Sequence, residues 1–128
     1  MSNGEMTIDQ LIGGEVLAAP PETTLRAAAA MLDEAGVGLL VVGSRDDVRG
    51  VFSERDVVRA VAKGDDLDAC TVAERCATEL RWAAPTSPVG DVIEEMMESY
   101  LRHILVGADD GSLVGIVSMR DLLAAYPT

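Results

Sequence analysis

Gly50-Val51-Phe52-Ser53-Glu54-Arg55-Asp56 returns further along the chain as Gly115-Ile116-Val117-Ser118-Met119-Arg120-Asp121, an offset of 65 residues. Carried backwards, the same offset lays Leu40-Val41 on Leu105-Val106, Met31 on Met96, and Ala18-Ala19-Pro20 on Ala83-Ala84-Pro85. Ala60 falls on Ala125, which makes 11 identities over the 43 positions from 18 to 60. Ordinary composition would give about three by chance. The chain is therefore two copies of one unit, 1–64 and 65–128, and a self-similar chain has to be read as a repeat before anything else.

Each copy carries the same local signals. Glu15–Ala19 and Leu80–Ala84 are short apolar runs that end at proline, which reads as a strand. Thr24 to Ala35 places Leu25, Ala28, Ala29 and Leu32 at helical spacing, and Gly36 stops it. Its counterpart, Pro88 to Tyr100, has Val89, Val92, Ile93, Met96 and Met97 on one face. Leu39–Val42 and Ile104–Val106 are continuous apolar strands. Arg45-Asp46-Asp47 and Asp109-Asp110-Gly111 are hairpin turns. Val48–Phe52 and Leu113–Val117 are the return strands. A second helix follows from Ser53 and Ser118, with Val57, Val58 and Val61, or Leu122 and Leu123, facing inward. Gly64 to Asp68 is a linker. Thr71–Ala77 forms a short helix leading into the second copy, and Ile8–Ile12 plays that part in the first. Trp82 is expected to fill core between the repeats, and Met96 and Met97 to pack.

A chain of 128 residues is one domain or two halves sharing a core, since neither half of about 65 residues is stable alone. It is 48% hydrophobic and 25% charged, which excludes a disordered chain. Aromatics are only 3%, so the core is aliphatic and stacking platforms for single-stranded nucleic acid are scarce. Ten basic against 22 acidic residues give a net charge of −12. That balance disfavours nucleic acid and an anionic membrane surface. Cys70 and Cys76, with His103 the single histidine, match neither a zinc site nor a redox C-x-x-C pair, and read as free thiols in a reducing compartment. Met1 to Glu5 shows no basic region followed by an apolar stretch, and the apolar run near 37–42 is too short to span a membrane. A cytoplasmic protein is expected.

Ser53-x-x-Asp56 and Ser118-x-x-Asp121 admit two readings of equal weight. One is a capping box: a serine at the N-cap and an acid three residues on stabilise a helix start. The other is a ligand site. A strand-to-helix junction aims backbone N–H groups at one point. An aspartate there can accept both hydroxyls of a ribose in a charge-assisted pair. Capping alone does not explain why Gly50 and Gly115 precede at fixed spacing, or why Arg55 and Arg120 recur.

Gly-hydrophobic-hydrophobic-Ser-x-Arg-Asp, closing a strand–helix–strand–strand–helix unit that occurs twice, resembles the CBS domain, and the pair resembles a Bateman module. The resemblance runs from about Met6 to Tyr126. It implies an α+β fold of two β-α-β-β-α repeats packed through their sheets with pseudo-two-fold symmetry. It also implies a regulatory sensor for adenosine derivatives such as AMP, ADP, ATP, NAD or S-adenosylmethionine, bound in the cleft between the repeats. The family's ribose-binding aspartate matches Asp56 and Asp121, and its hydroxyl residue matches Ser53 and Ser118. By the resemblance each site borrows from the other repeat. The Asp121 site would use Val37-Gly38 and the strand start near Glu15. The Asp56 site would use Arg102-His103 and the strand start near Leu80. Arg102-His103 resembles a phosphate contact that the first copy lacks, so a phosphate-bearing ligand is expected on the Asp56 side. Arg55 and Arg120 assist the ligand or are simply solvated. His103 is a ligand contact or a half-buried strand residue.

No catalytic set is present: no Gly-x-Ser-x-Gly elbow, no Cys–His pair at motif spacing, and no P-loop before Lys63. The chain is expected to be a non-enzymatic module and a homodimer through its second helices (Val57, Val58, Val61, Leu122, Leu123, Tyr126), read by a separate effector protein. The alternatives are a structural or interaction module that binds no nucleotide, and a module for another ligand such as a divalent metal, although no metal-ligand set is evident.

Overall fold

The computed structural model describes residues 6–12 and 16–125. Its order is a 3-10 turn (Ile8–Leu11), β1 (Ala18–Ala19), α1 (Leu25–Ala35), β2 (Leu39–Gly43), β3 (Val48–Ser53), α2 (Glu54–Lys63) and α3 (Val72–Arg75). The second copy follows with β4 (Trp82–Ala83), α4 (Val89–Ser99), β5 (His103–Gly107), β6 (Leu113–Ser118) and α5 (Met119–Ala125). Helices and strands thus mix in two three-stranded sheets, β1-β2-β3 and β4-β5-β6, each with one parallel and one antiparallel pair.

The spacing between the copies is not constant. Ala18 pairs with Val41 and Trp82 pairs with Leu105, so the first strands lie 82 − 18 = 64 residues apart. The α1/α4 and β2/β5 pairs keep that offset, whereas β3 and β6 start 113 − 48 = 65 apart. The extra residue is in the second hairpin, where 108–112 replaces 44–47. Equivalent positions ahead of the hairpins are therefore Leu32 with Met96 and Leu40 with Ile104, and the identities Met31/Met96 and Leu40/Leu105 are not structural equivalents. Runs of small aliphatic residues score nearly as well one position out of register, which is why the constant offset of 65 looks consistent.

The two compact units are Val16–Leu80, and Arg81 onward together with the leading segment that holds Ile8–Leu11. They differ from a division at 64 and 65 because each leading turn docks on the other copy. The Ile8 and Asp9 N–H groups donate to the Ser87 and Pro85 carbonyls at 2.9 and 3.0 Å, and Val89 donates to Met6 at 2.9 Å. In the other unit Val72 and Ala73 donate to Thr23 and Pro21 at 2.8 and 3.1 Å, and Leu25 donates to Cys70 at 3.0 Å. Both turns start in a threonine capping box, Thr7 with Gln10 and Thr71 with Glu74. Each drives one apolar side chain, Ile8 or Val72, into the core with no exposed surface.

Each unit has its own aliphatic core. Leu25, Ala28 and Leu32 of α1 meet Leu40, Val42 and Phe52 of the sheet. Val89, Val92 and Met96 of α4 meet Ile104, Val106 and Val117. Several expected core residues are outside. Val58 and Val61 are exposed on α2, where Ala60 is the buried residue and Val57 packs at the core's edge. Leu123 is exposed on α5 beside the buried Leu122. Met97 is exposed too, because the α4 stripe is complete with Val89, Val92, Ile93 and Met96, and Met97 falls beyond its edge. Trp82 is 40% exposed, close enough to Gly107 that a Cβ there would meet its ring at 2.9 Å. No described helix is long and apolar enough to cross a membrane.

Candidate functional site

The two repeated motifs stand where a return strand becomes a helix. β3 ends at Ser53, the N-cap of α2, and β6 ends at Ser118, directly before α5. At the first junction Ser53 and Asp56 form a reciprocal box. The Ser53 N–H donates to Asp56 Oδ2 at 2.8 Å, the Ser53 hydroxyl donates to the same oxygen at 3.0 Å, and Asp56 N–H donates to Ser53 Oγ at 3.2 Å. The remaining oxygen, Oδ1, accepts from the Arg59 guanidinium at 3.2 Å. The Asp56 side chain keeps 14% of its surface exposed and Arg59 keeps 60%. At the second junction Asp121 N–H donates to Ser118 Oγ at 3.1 Å, and Asp121 is exposed.

The loop before each central strand closes on the same junction. Glu54 N–H donates to the Gly38 carbonyl at 3.0 Å, and Met119 N–H donates to the Arg102 carbonyl at 2.7 Å. The Glu54 carboxylate folds over Gly38, 3.4 Å from where a Cβ would stand. Within a repeat the structure thus brings Gly38 to Ser53 and Asp56, and Arg102 to Ser118 and Asp121. His103 is half-buried and lies opposite Ser118 across the β5–β6 ladder. Val37 is exposed, as are Arg55 and Arg120. Leu80 is half-buried, one residue before Arg81, whose carbonyl accepts from Leu105. Glu15 and Tyr126 lie outside the described residues.

The glycines of the motif have a packing explanation. Behind Gly50 runs the tail of the docked α3 segment, held by Val51 N–H to Ala77 O at 3.0 Å and Ala77 N–H to Val51 O at 2.9 Å. A Cβ on Gly50 would stand 2.7 Å from Cys76 Sγ and 2.8 Å from the Ala77 oxygen. One on Gly115 would run into Ile12, the matching residue of the other leading segment. Gly50 is needed because a second backbone crosses there, and Gly115 because the Ile12 side chain packs against it. Burial pushes the Cys76 thiol up, its backbone hydrogen bond pulls it back, and the Asp56 carboxylate raises it again, so this sulfur is a packing group rather than a nucleophile.

Arg59 and Glu54 did not stand out in the sequence. The signal for them was a difference between copies, since Met119 and Ala124 occupy the matching places. Among the described residues no three His, Cys, Asp or Glu side chains are grouped to hold a metal ion.

A family model described as CBS domain matches residues 8–63 and again 72–128. A CBS domain protein of known structure from Pyrobaculum aerophilum, complexed with AMP, is 33% identical, with a TM-score of 0.80 over 91% of this chain and 89% of that one. An uncharacterized 17.7 kDa protein of Acidianus ambivalens is 31% identical over 119 residues, 92% of this chain and 71% of its own length. Inosine-5'-monophosphate dehydrogenase of Halobacterium salinarum is 32% identical over 93% of this chain, which spans only 23% of that enzyme.

Proposed function

Because the chain belongs to the CBS domain family and carries its unit twice, we propose that repeats 1–64 and 65–128 together form a regulatory module that binds an adenosine-containing ligand. AMP, ADP or ATP come first, then NAD or S-adenosylmethionine. A separate effector protein reads the bound state. The observation that carries this is the similarity, along nearly the whole chain, to a protein complexed with AMP. Asp56 and Asp121 are the proposed ribose acceptors, with Ser53 and Ser118 beside them. Arg102 and His103 are proposed for phosphate, with Arg55 and Arg120 assisting. Val37, Gly38, Glu15 and Leu80 are proposed for the base. The work done is regulation rather than catalysis, through differential affinity: a ligand preferring one state of the module shifts its population toward that state.

The test is thermal shift with AMP, ADP, ATP, NAD and S-adenosylmethionine. A ligand at about a thousand times its Kd stabilises by roughly 4 kcal/mol. The shift is expected to shrink in Asp56→Ala and in Asp121→Ala and to vanish in the double variant. A double variant that binds like the unmodified chain would remove the ribose assignment.

A second reading, an interaction module without a nucleotide, is favoured by one observation: both Asp56 oxygens already have partners inside the protein. A flat thermal panel would select it. In either case a homodimer through the exposed Val58, Val61 and Leu123 is proposed, and a monomer mass by light scattering at micromolar concentration would refute it. We place the protein in the cytoplasm, a reading supported by its two free thiols, Cys70 and Cys76.

A further inference from the structure

The two junctions differ by a matched pair of substitutions. The first has Glu54 and Arg59 where the second has Met119 and Ala124. Both extra groups converge on the motif: Glu54 lies over Gly38 at the mouth of the junction, and Arg59 holds Asp56 Oδ1 at 3.2 Å. The carboxylate Glu54 adds is thus offset by the guanidinium Arg59 adds.

We propose that Arg59 is the ligand-discriminating residue of the first junction, selecting phosphate-bearing nucleosides over neutral ones. The inference rests on the nucleotide-binding reading above and names the ligand class of one of its two sites. Two effects of the same guanidinium act in the same direction. A neutral nucleoside that takes both oxygens of Asp56 competes with Ser53 on Oδ2 and with Arg59 on Oδ1, and it returns nothing to a displaced cation. A phosphate-bearing nucleoside releases Arg59 toward its own negative charge. Without Arg59 that anion would meet Glu54 and Asp56 with one fewer cation on α2, where Arg55 remains. The second junction has no cation one turn into its helix, so its aspartate is open to either class.

The pair is spaced i, i+3 on α2, so the discrimination is built into one helix turn. The Asp56 carboxylate is largely shielded from water while the Arg59 guanidinium is exposed, so the interaction is partly screened by salt. A unit charge removed several ångströms from a phosphate in a half-solvated site changes affinity by roughly three- to ten-fold.

The experiment is calorimetric titration of AMP and of adenosine into the full chain carrying Asp121→Ala, which leaves the first junction as the site measured. Arg59→Ala in that background is expected to lower the AMP-to-adenosine affinity ratio by at least three-fold, with adenosine gaining and AMP losing. Arg59→Lys, which keeps the charge, is expected to retain most of the preference. The AMP preference is expected to weaken with added salt in the Asp121→Ala chain and to depend less on salt once Arg59 is gone. A ratio unchanged within experimental error in Arg59→Ala, with binding still lost in Asp56→Ala, would overturn the role of Arg59 and leave the nucleotide reading standing. Absence of binding by both ligands to the Asp121→Ala chain, verified as folded by its melting curve, would overturn the role of Arg59, and absence of binding to the unmodified chain as well would overturn the nucleotide reading.

Discussion

Gly50→Ala tests the crossing of the docked α3 tail behind the motif. The added Cβ would stand 2.7 Å from Cys76 Sγ and 2.8 Å from the Ala77 carbonyl oxygen. The sulfur ends a side chain that can turn, but the oxygen is backbone. It cannot retreat without stretching the reciprocal Val51–Ala77 pair, whose bonds are 3.0 and 2.9 Å. Each such bond contributes about 1 kcal/mol net. Overpacking a tight site costs about 1–3 kcal/mol, and replacing glycine in a strand returns about 0.5–1 kcal/mol through the unfolded chain. The balance is a loss of about 2 kcal/mol. Unfolding entropy near 2.1 cal/mol/K per residue, over 128 residues, totals about 270 cal/mol/K, so the melting temperature should fall by about 7 °C. In Gly115→Ala the added Cβ would run into Cγ2 of Ile12, a methyl on a side chain that is stiff at χ1, so this variant should lose stability too. Urea unfolding followed by circular dichroism measures both. A Gly50→Ala chain within about 0.5 kcal/mol of the unmodified protein would refute the crossing as the reason for that glycine.

Ser53→Ala removes the hydroxyl that both accepts from and donates to Asp56, and should cost about 1–2 kcal/mol in urea unfolding. Ser118→Ala, with the single bond to Asp121 N–H, should fall at the low end of that range. Tyr100→Gly should raise stability by about 1 kcal/mol, because Tyr100 closes α4 with φ 58 and its side chain is almost fully exposed, whereas Gly36 performs the same task for α1. Arg75 holds the Asp65 carboxyl below its usual range, the Thr71 N–H and hydroxyl do so for Glu74, and Ser112 does so for Asp110. These groups are depressed in the folded state, so their contribution is present above the ordinary carboxylate range and is lost as pH falls through their folded values. Arg75→Met should flatten that acid limb in a pH series of melting curves.

Much of the architecture was legible because burial leaves a periodic trace. Leu25, Ala28 and Leu32 gave α1, the apolar run to Val42 gave β2, and Asp109-Asp110-Gly111 marked the second hairpin. The inward set of α2 was not legible. On a short helix carrying Val57, Val58 and Val61, hydrophobicity alone cannot choose which valine faces the sheet, and the small Ala60 is the residue that fits there. At the site, Ser53 and Asp56 stood out because they recur. Arg59 did not, since only a three-dimensional contact distinguishes an arginine holding the motif's carboxylate from one on a solvated helix face.

The sequence by itself determined that the chain is a doubled unit, that each unit alternates strand and helix, and that a serine and an aspartate stand at the same junction in both. Those properties are local or repetitive, and repetition can be read without coordinates. Tertiary structure decided the change of offset from 64 to 65 at the hairpin, because backbone hydrogen bonds count positions where aliphatic identity cannot. It also decided the exchange of leading turns between the copies, because Ile8 and Val72 are equally apolar and only the partners of their backbone N–H groups say which core receives each one. Gly50 follows from that exchange: it is fixed by a chain segment that the sequence places about 27 residues downstream but the fold lays directly against it.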